Sequence, residues 1–144
     1  MIADTPPIVV DSSIAIKWVI READSGAAEA IVGRWALHAP EFLRVEAANI
    51  LWKHVRRALL APAAALQAMA LVREIPAVWT RDAELVDHAY RISSVLDHPV
   101  YDCLYLALGQ RLGAPVVTAD RRLVAASQRS AAFQGTVLTL PDLA

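Results

Sequence analysis

The sequence predicts an α/β fold in which a parallel sheet is covered by helices on both faces. Three observations predict it. Short β-branched or apolar runs recur at residues 8–10, 76–79 and 115–118, and helical stretches alternate with them. Short strands alternating with helices imply parallel pairing and a doubly covered sheet. Alanine is abundant while aromatic residues make up only 6% of the chain, a balance suited to closely packed helices.

The elements follow in order. Ile8, Val9 and Val10 come after Pro6 and Pro7 and end at Asp11, which reads as a buried strand. Ser12 or Ser13 is placed to cap a helix over residues 14–19. A second helix is expected over residues 25–37, with a very short strand at residues 38–40. Residues 41–60 read as a long helix broken near Pro62, and residues 63–73 as another. The strand at 76–79 precedes a helix over 82–94. After Asp97-His98-Pro99 comes an apolar helix, Val100–Leu112, stopped by Gly113. The strand at 115–118 leads into a helix over 121–128, and residues 136–138 form a possible last strand.

Whole-chain properties bound the answer. At 144 residues, 56% hydrophobic and 20% charged, residues 1–144 fit one globular domain with no repeat, linker or low-complexity tract. Net charge is -1, but setting four acids aside as metal ligands leaves 11 acids against 14 basic residues, a remainder of +3. Nucleic acid is therefore not excluded by charge. Cys103 is the single cysteine, so no internal disulfide forms and a reducing, cytoplasmic compartment is expected. The opening Met1-Ile2-Ala3-Asp4 lacks the basic-then-apolar order of a secretory signal. The longest uncharged run, residues 58–72, is interrupted by Pro62 and Gln67 and falls short of the roughly 20 apolar residues of a membrane span.

Four acids draw attention. Asp11 follows one strand directly and Asp120 lies just past another, so both project from the rim where α/β sheets carry their sites. Asp102 and Glu46 sit in otherwise apolar helical stretches, where an ionised acid is costly unless paired or bound to a cation. Each has a plainer explanation. Asp120 can cap the helix that follows it, Asp102 can serve the helix dipole, Glu46 can pair with Lys53 or Arg44, and Asp11 can satisfy turn amides. Taken together, with no matching buried base, they favour a cation. Carboxylate oxygens select magnesium, manganese or calcium over zinc, and His38, His54, His88 and His98 show no metal-binding spacing. Magnesium-carboxylate sites leave positions open for water and phosphate oxygens, which points to phosphate chemistry.

Several segments carry a family resemblance: Ile8-Val9-Val10-Asp11-Ser12-Ser13 with Lys17-Trp18, Glu46 with Asn49, Val100-Tyr101-Asp102-Cys103-Leu104-Tyr105-Leu106-Ala107-Leu108, and Val117-Thr118-Ala119-Asp120-Arg121-Arg122-Leu123. In order and spacing this series resembles the PIN-domain ribonucleases, most of all the VapC-type toxins of bacterial toxin–antitoxin pairs. The resemblance implies a three-layer α/β/α sandwich with a central parallel sheet of four to five short strands. It also implies endonucleolytic cleavage of RNA, often transfer or ribosomal RNA, dependent on Mg2+ or Mn2+. A homodimer silenced by a VapB-type antitoxin is implied as well. Carried over, Asp11, Glu46, Asp102 and Asp120 match the acidic ligands, while Ser13 and Thr118 match hydroxyls that support the pocket. Some relatives carry a further acid after the last motif. Here Arg121 and Arg122 stand instead, which argues against a tightly held second metal.

Such a site implies hydrolysis by an activated water, leaving a 5′-phosphate and a 3′-hydroxyl. Glu46 either binds metal or takes the water's proton. Arg121, Arg122 and Lys17 are candidates for phosphate contacts, as are Lys53, Arg56, Arg57 and Arg81. Trp18 and Trp52 lie in apolar helical stretches and are assigned to core or interface packing rather than to bases. The apolar run at 58–72 exceeds what one helix face buries, and so packs on a second subunit, on an antitoxin helix or within an internal hairpin. A haloacid-dehalogenase-like phosphatase is disfavoured because it needs an Asp where Ser13 stands. No acid neighbours Asp11 as in a receiver domain, and there is no Walker loop. The alternatives left are an RNA-processing nuclease without a toxin role and a catalytically silent RNA- or partner-binding module.

Overall fold

Hydrogen-bond demand and burial set the architecture of the chain. The computed structural model describes residues 4–144, so the sequence reading at Met1, Ile2 and Ala3 lies outside the described residues. Five strands pair in parallel: β1 (Pro7–Val10), β2 (Ala36–Pro40), β3 (Ala77–Thr80), β4 (Val116–Val117) and β5 (Val137–Leu138), in the spatial order β3-β2-β1-β4-β5. Ile8, Val9 and Val10 are all fully buried, although successive side chains face opposite sides of the sheet. Both faces of the central strand are therefore covered, which explains an apolar run without alternation.

The helices are α1 (Ser12–Val19), α2 (Ser25–Glu29), α3 (Phe42–Arg56), α4 (Pro62–Arg73), α5 (Val86–Leu96), α6 (Val100–Leu112) and α7 (Arg121–Ser127). Short 3₁₀ turns cover Asp82–Glu84 and Leu140–Leu143. Helix α6 packs on β1, β2 and β4, and α5 packs on α6. Helices α1, α3 and α4 meet around Ile16, Leu51 and Ala68, a small apolar cluster beside the main core. Among the described residues no helix is long and apolar enough to cross a membrane.

Several boundaries differ from the sequence reading, each for a local reason. The helix expected over residues 25–37 stops at Glu29. Gly33 takes a left-handed φ of 85°, and the chain then joins β2, where the Ala36 amide donates to the Pro6 carbonyl. The long helix ends at Arg56 rather than 60. Ala58 turns left-handed and the Leu59 amide reaches back to the His54 carbonyl, so that Pro62 opens α4, where no amide is required. The cap of α1 is Asp11, not Ser12 or Ser13. The helix expected over 82–94 begins as a 3₁₀ turn and runs on to Leu96, ending at Asp97 in the left-handed region. Trp52, assigned to packing, is 54% exposed with the Arg56 guanidinium 5.4 Å above its ring. Trp18 is partly buried and donates its indole N–H to the Ala28 carbonyl.

Strand order creates the crevice in which the acids meet. From β1 the chain moves outward to β2 and β3, then returns to place β4 on the other side of β1. The order reverses between β1 and β4, and in open α/β sheets a crevice forms at that point beyond the carboxyl ends. Asp11 and Thr118 are the residues that leave those two ends.

Candidate active site

Asp11 leaves β1 and immediately caps α1. Its Oδ1 accepts from the Ile14 amide at 3.2 Å and from the Ser13 hydroxyl at 2.6 Å, and its Oδ2 accepts a short bond from the Thr118 hydroxyl. The two hydroxyls also tie β1 to β4. Ser13 Oγ accepts from the Ala119 amide at 2.8 Å, and Thr118 Oγ1 accepts from the Asp120 amide at 2.9 Å. A carboxylate offers about four acceptor positions, so three are filled here and one remains open.

The other acids come from separate helices. Glu46 projects from α3, and its Oε1 accepts a short hydrogen bond from the hydroxyl of Tyr105 on α6. Asp102, in the first turn of α6, has its Oδ2 2.6 Å from His98 Nε2. Asp120 caps α7 by accepting from the Arg122 amide at 2.9 Å, so its plainer reading as a helix cap holds. All four line one cavity of about 660 Å³, together with Ser13, Asn49, Lys53, His98, Tyr101, Arg122 and Arg129.

Electrostatics shows what this cavity lacks. Asp11 is 5% exposed, and burial pushes its carboxyl up to about 6 against the pull of its three hydrogen bonds, with Asp102 adding repulsion. Burial pushes Glu46 up to about 7, and the nearby charges of Asp102 and Asp11 add to it. Among the described residues no lysine or arginine nitrogen forms an ion pair with Asp11, Glu46 or Asp102. Nor are three His, Cys, Asp or Glu side chains already gathered tightly enough to hold an ion, an arrangement that like charges resist. The donor set is hard oxygen with one open position on Asp11, and it fits a magnesium- or manganese-type cation.

Not every expected residue lies here. Lys17, a candidate for phosphate contact, is buried in α1, and its ammonium sits 2.8 Å from both Glu22 and Asp24. Those two carboxylates raise its affinity for the proton and leave it outside the cavity lining. Arg122 lines the cavity, whereas its neighbour Arg121 is exposed and does not. Three participants escape the sequence reading. Tyr105 falls within the apolar run of α6, His98 shows no metal-binding spacing, and Arg129 carries no signal. Arg129 donates to the carbonyls of Leu96 at 2.7 Å and Asp97 at 3.3 Å, pinning the α5–α6 corner beside Asp102.

A protein-family model described as PIN domain matches residues 8–128. The chain belongs to the PIN-domain family. This PIN domain is 34% identical over 119 residues to ribonuclease VapC3 of Pyrobaculum aerophilum, a match covering 81% of this chain and 91% of that protein. It is 28% identical over 116 residues to ribonuclease VapC12 of Mycobacterium tuberculosis, covering 81% of this chain and 88% of that one. Its relatives are thus VapC ribonucleases. Among solved structures, PAE2754 of Pyrobaculum aerophilum superposes with a TM-score of 0.73 at 24% identity, covering 98% of this chain and 88% of that one. VapC20 of Mycobacterium tuberculosis, described as a sarcin-ricin loop cleaving toxin, gives 0.64 at 19% identity, covering 83% and 94%. These two likenesses establish the fold: a five-stranded parallel sheet flanked by helices, as the PIN-like sandwich requires.

Proposed function

We propose that this PIN domain is a Mg2+- or Mn2+-dependent endoribonuclease acting as the toxin of a VapBC-type pair, cutting transfer or ribosomal RNA to inhibit translation. The observation that carries the reading is the cavity itself: Asp11, Glu46, Asp102 and Asp120 converge from four elements, and among the described residues no lysine or arginine is paired with Asp11, Glu46 or Asp102. Asp11 would be the central ligand, and Asp102 and Asp120 would hold the ion directly or through water. When bound, the cation supplies the charge that activates a water and polarises a phosphoryl oxygen.

The chain's own residues do the rest. Tyr105 holds Oε1 of Glu46, which would either bind the ion or, with its carboxyl raised to about 7, take the attacking water's proton at neutral pH. Ser13 and Thr118 fix the Asp11 carboxylate through both oxygens, so it does not rotate away when RNA arrives. His98 holds Asp102 in the same manner. Lys53 and Arg122 on the cavity wall meet the backbone phosphates. The products are a 5′-phosphate and a 3′-hydroxyl.

The deciding experiment incubates end-labelled RNA with the purified protein in magnesium, in manganese and in excess chelator. Cleavage leaving 5′-phosphate ends is expected with either metal, and none in chelator or in Asp102→Asn. An unchanged cutting pattern in Asp102→Asn, or undiminished cutting in chelator, overturns the assignment. The biological role adds an antitoxin encoded beside this chain and a homodimeric toxin.

A further inference from the structure

Tyr101 stands in the first turn of α6, next to Asp102, and lines the same cavity as the four acids. Tyr101 is 61% exposed. It is nonetheless held in place. The ring stacks on Phe42, with centroids 5.4 Å apart and planes inclined by 11°. Phe42 in turn opens α3, where its amide donates to Asp82 Oδ1 at 3.0 Å. One face of Tyr101 is thus supported by protein while the ring as a whole remains largely open to solvent. Packing explains the supported face and gives no reason for a rigid aromatic plane beside Asp102.

We infer that Tyr101, backed by Phe42, is a base-stacking platform that receives an unpaired base of single-stranded RNA next to the phosphate undergoing attack. The inference rests on the ribonuclease reading and adds to it the side chain that receives a base. Every base offers a π-face, so a stacking platform accepts any sequence, but a base within a duplex already has both faces covered. The surrounding charges complete a nucleotide site. Lys53 and Arg122 line the cavity that the ring borders, so one backbone phosphate lies among charged groups while its base lies on the ring.

The test measures binding of a fluorescent single-stranded RNA decamer, and of the same decamer in duplex form, to the inactive Asp11→Asn protein in magnesium. Replacing Tyr101→Ala in that background should weaken single-strand binding about tenfold, the size of one aromatic–base stack. Tyr101→Phe should keep affinity within about twofold, and duplex binding should be weaker throughout. Because a stack neutralises no phosphate, Tyr101→Ala should leave the salt dependence of binding unchanged, whereas Arg122→Ala should reduce it. Equal affinities for the Ala and Phe variants overturn the platform. So does a change in sedimentation mass with unchanged RNA affinity, which assigns the ring to a protein interface. If the active protein cuts RNA in magnesium but Tyr101→Ala binds normally, the platform alone falls. If neither cutting nor binding occurs, the ribonuclease reading falls with it.

Discussion

Asp11 accepts three hydrogen bonds, yet its carboxyl holds a proton up to about pH 6, because burial outweighs them and Asp102 adds its charge. The sign of the consequence is fixed. A carboxyl whose folded pKa lies above its unfolded value of 3.8 costs nothing below about pH 4, and its penalty grows as pH rises towards 6. The full penalty is about 3 kcal/mol. In chelator at pH 7, Asp11→Asn should therefore unfold at higher denaturant than the parent. That advantage should shrink by about 1 kcal/mol at pH 5. Urea titrations at the two pH values check it, and an advantage that grows on acidification contradicts the burial argument. Residue positions were the most legible part of this site. Asp11 and Asp120 could be placed from strand ends, and Asp102 from its apolar surroundings, without any contact being known. Tyr105 could not, because its partner Glu46 lies 59 residues away on another helix and nothing local marks a buried hydroxyl as paired.

At the scale of elements, α6 and β4 approach so closely that a side chain at Gly109 would press on its neighbours. A Cβ there would sit 3.0 Å from the Ala114 carbonyl oxygen and 3.0 Å from a methyl of Val116. Helix propensity alone favours alanine over glycine by about 1 kcal/mol. Gly109→Ala should nevertheless destabilise the protein by about 1–3 kcal/mol, as overpacked cores do. Because the strain falls on β4, RNA cleavage should drop more than the stability loss predicts. Thermal melts beside cleavage rates measure both, and a stabilised variant would show that β4 yields without cost. The boundaries of elements were less legible than their existence. Burial of β1 and the stop at Gly113 were readable, whereas the early end of α2 depends on pairing between Ala36 and β1 that only the sheet supplies. Lys17 shows the same limit: its acidic partners are close in sequence, but only the turn after α1 brings both onto one ammonium.

For the molecule as a whole, the α3–α4 hairpin divides the apolar run of residues 58–72 in two. Ala68 and Val72 face inward and are buried, while Leu59, Leu66 and Leu71 remain exposed, Leu66 by 74%. The internal-hairpin reading thus accounts for the smaller part of the run and leaves an apolar surface for a partner. If that partner is the antitoxin, Leu66→Glu should keep the melting temperature and RNA cleavage of the parent. It should lose inhibition by the proposed antitoxin, as followed by co-purification and cleavage assays. Retained inhibition would move the antitoxin to another face.

The placement of β4 has a consequence for the timing of synthesis. Val9 finds its partner Val116 only after most of the chain has been made, and Asp120 follows later still. A translation product interrupted before that point lacks both the strand that fixes Thr118 against Asp11 and the fourth acid. On the proposed reading, a fragment that ends before β4 should therefore fail to cut RNA, because the strand that seats Thr118 beside Asp11 is missing.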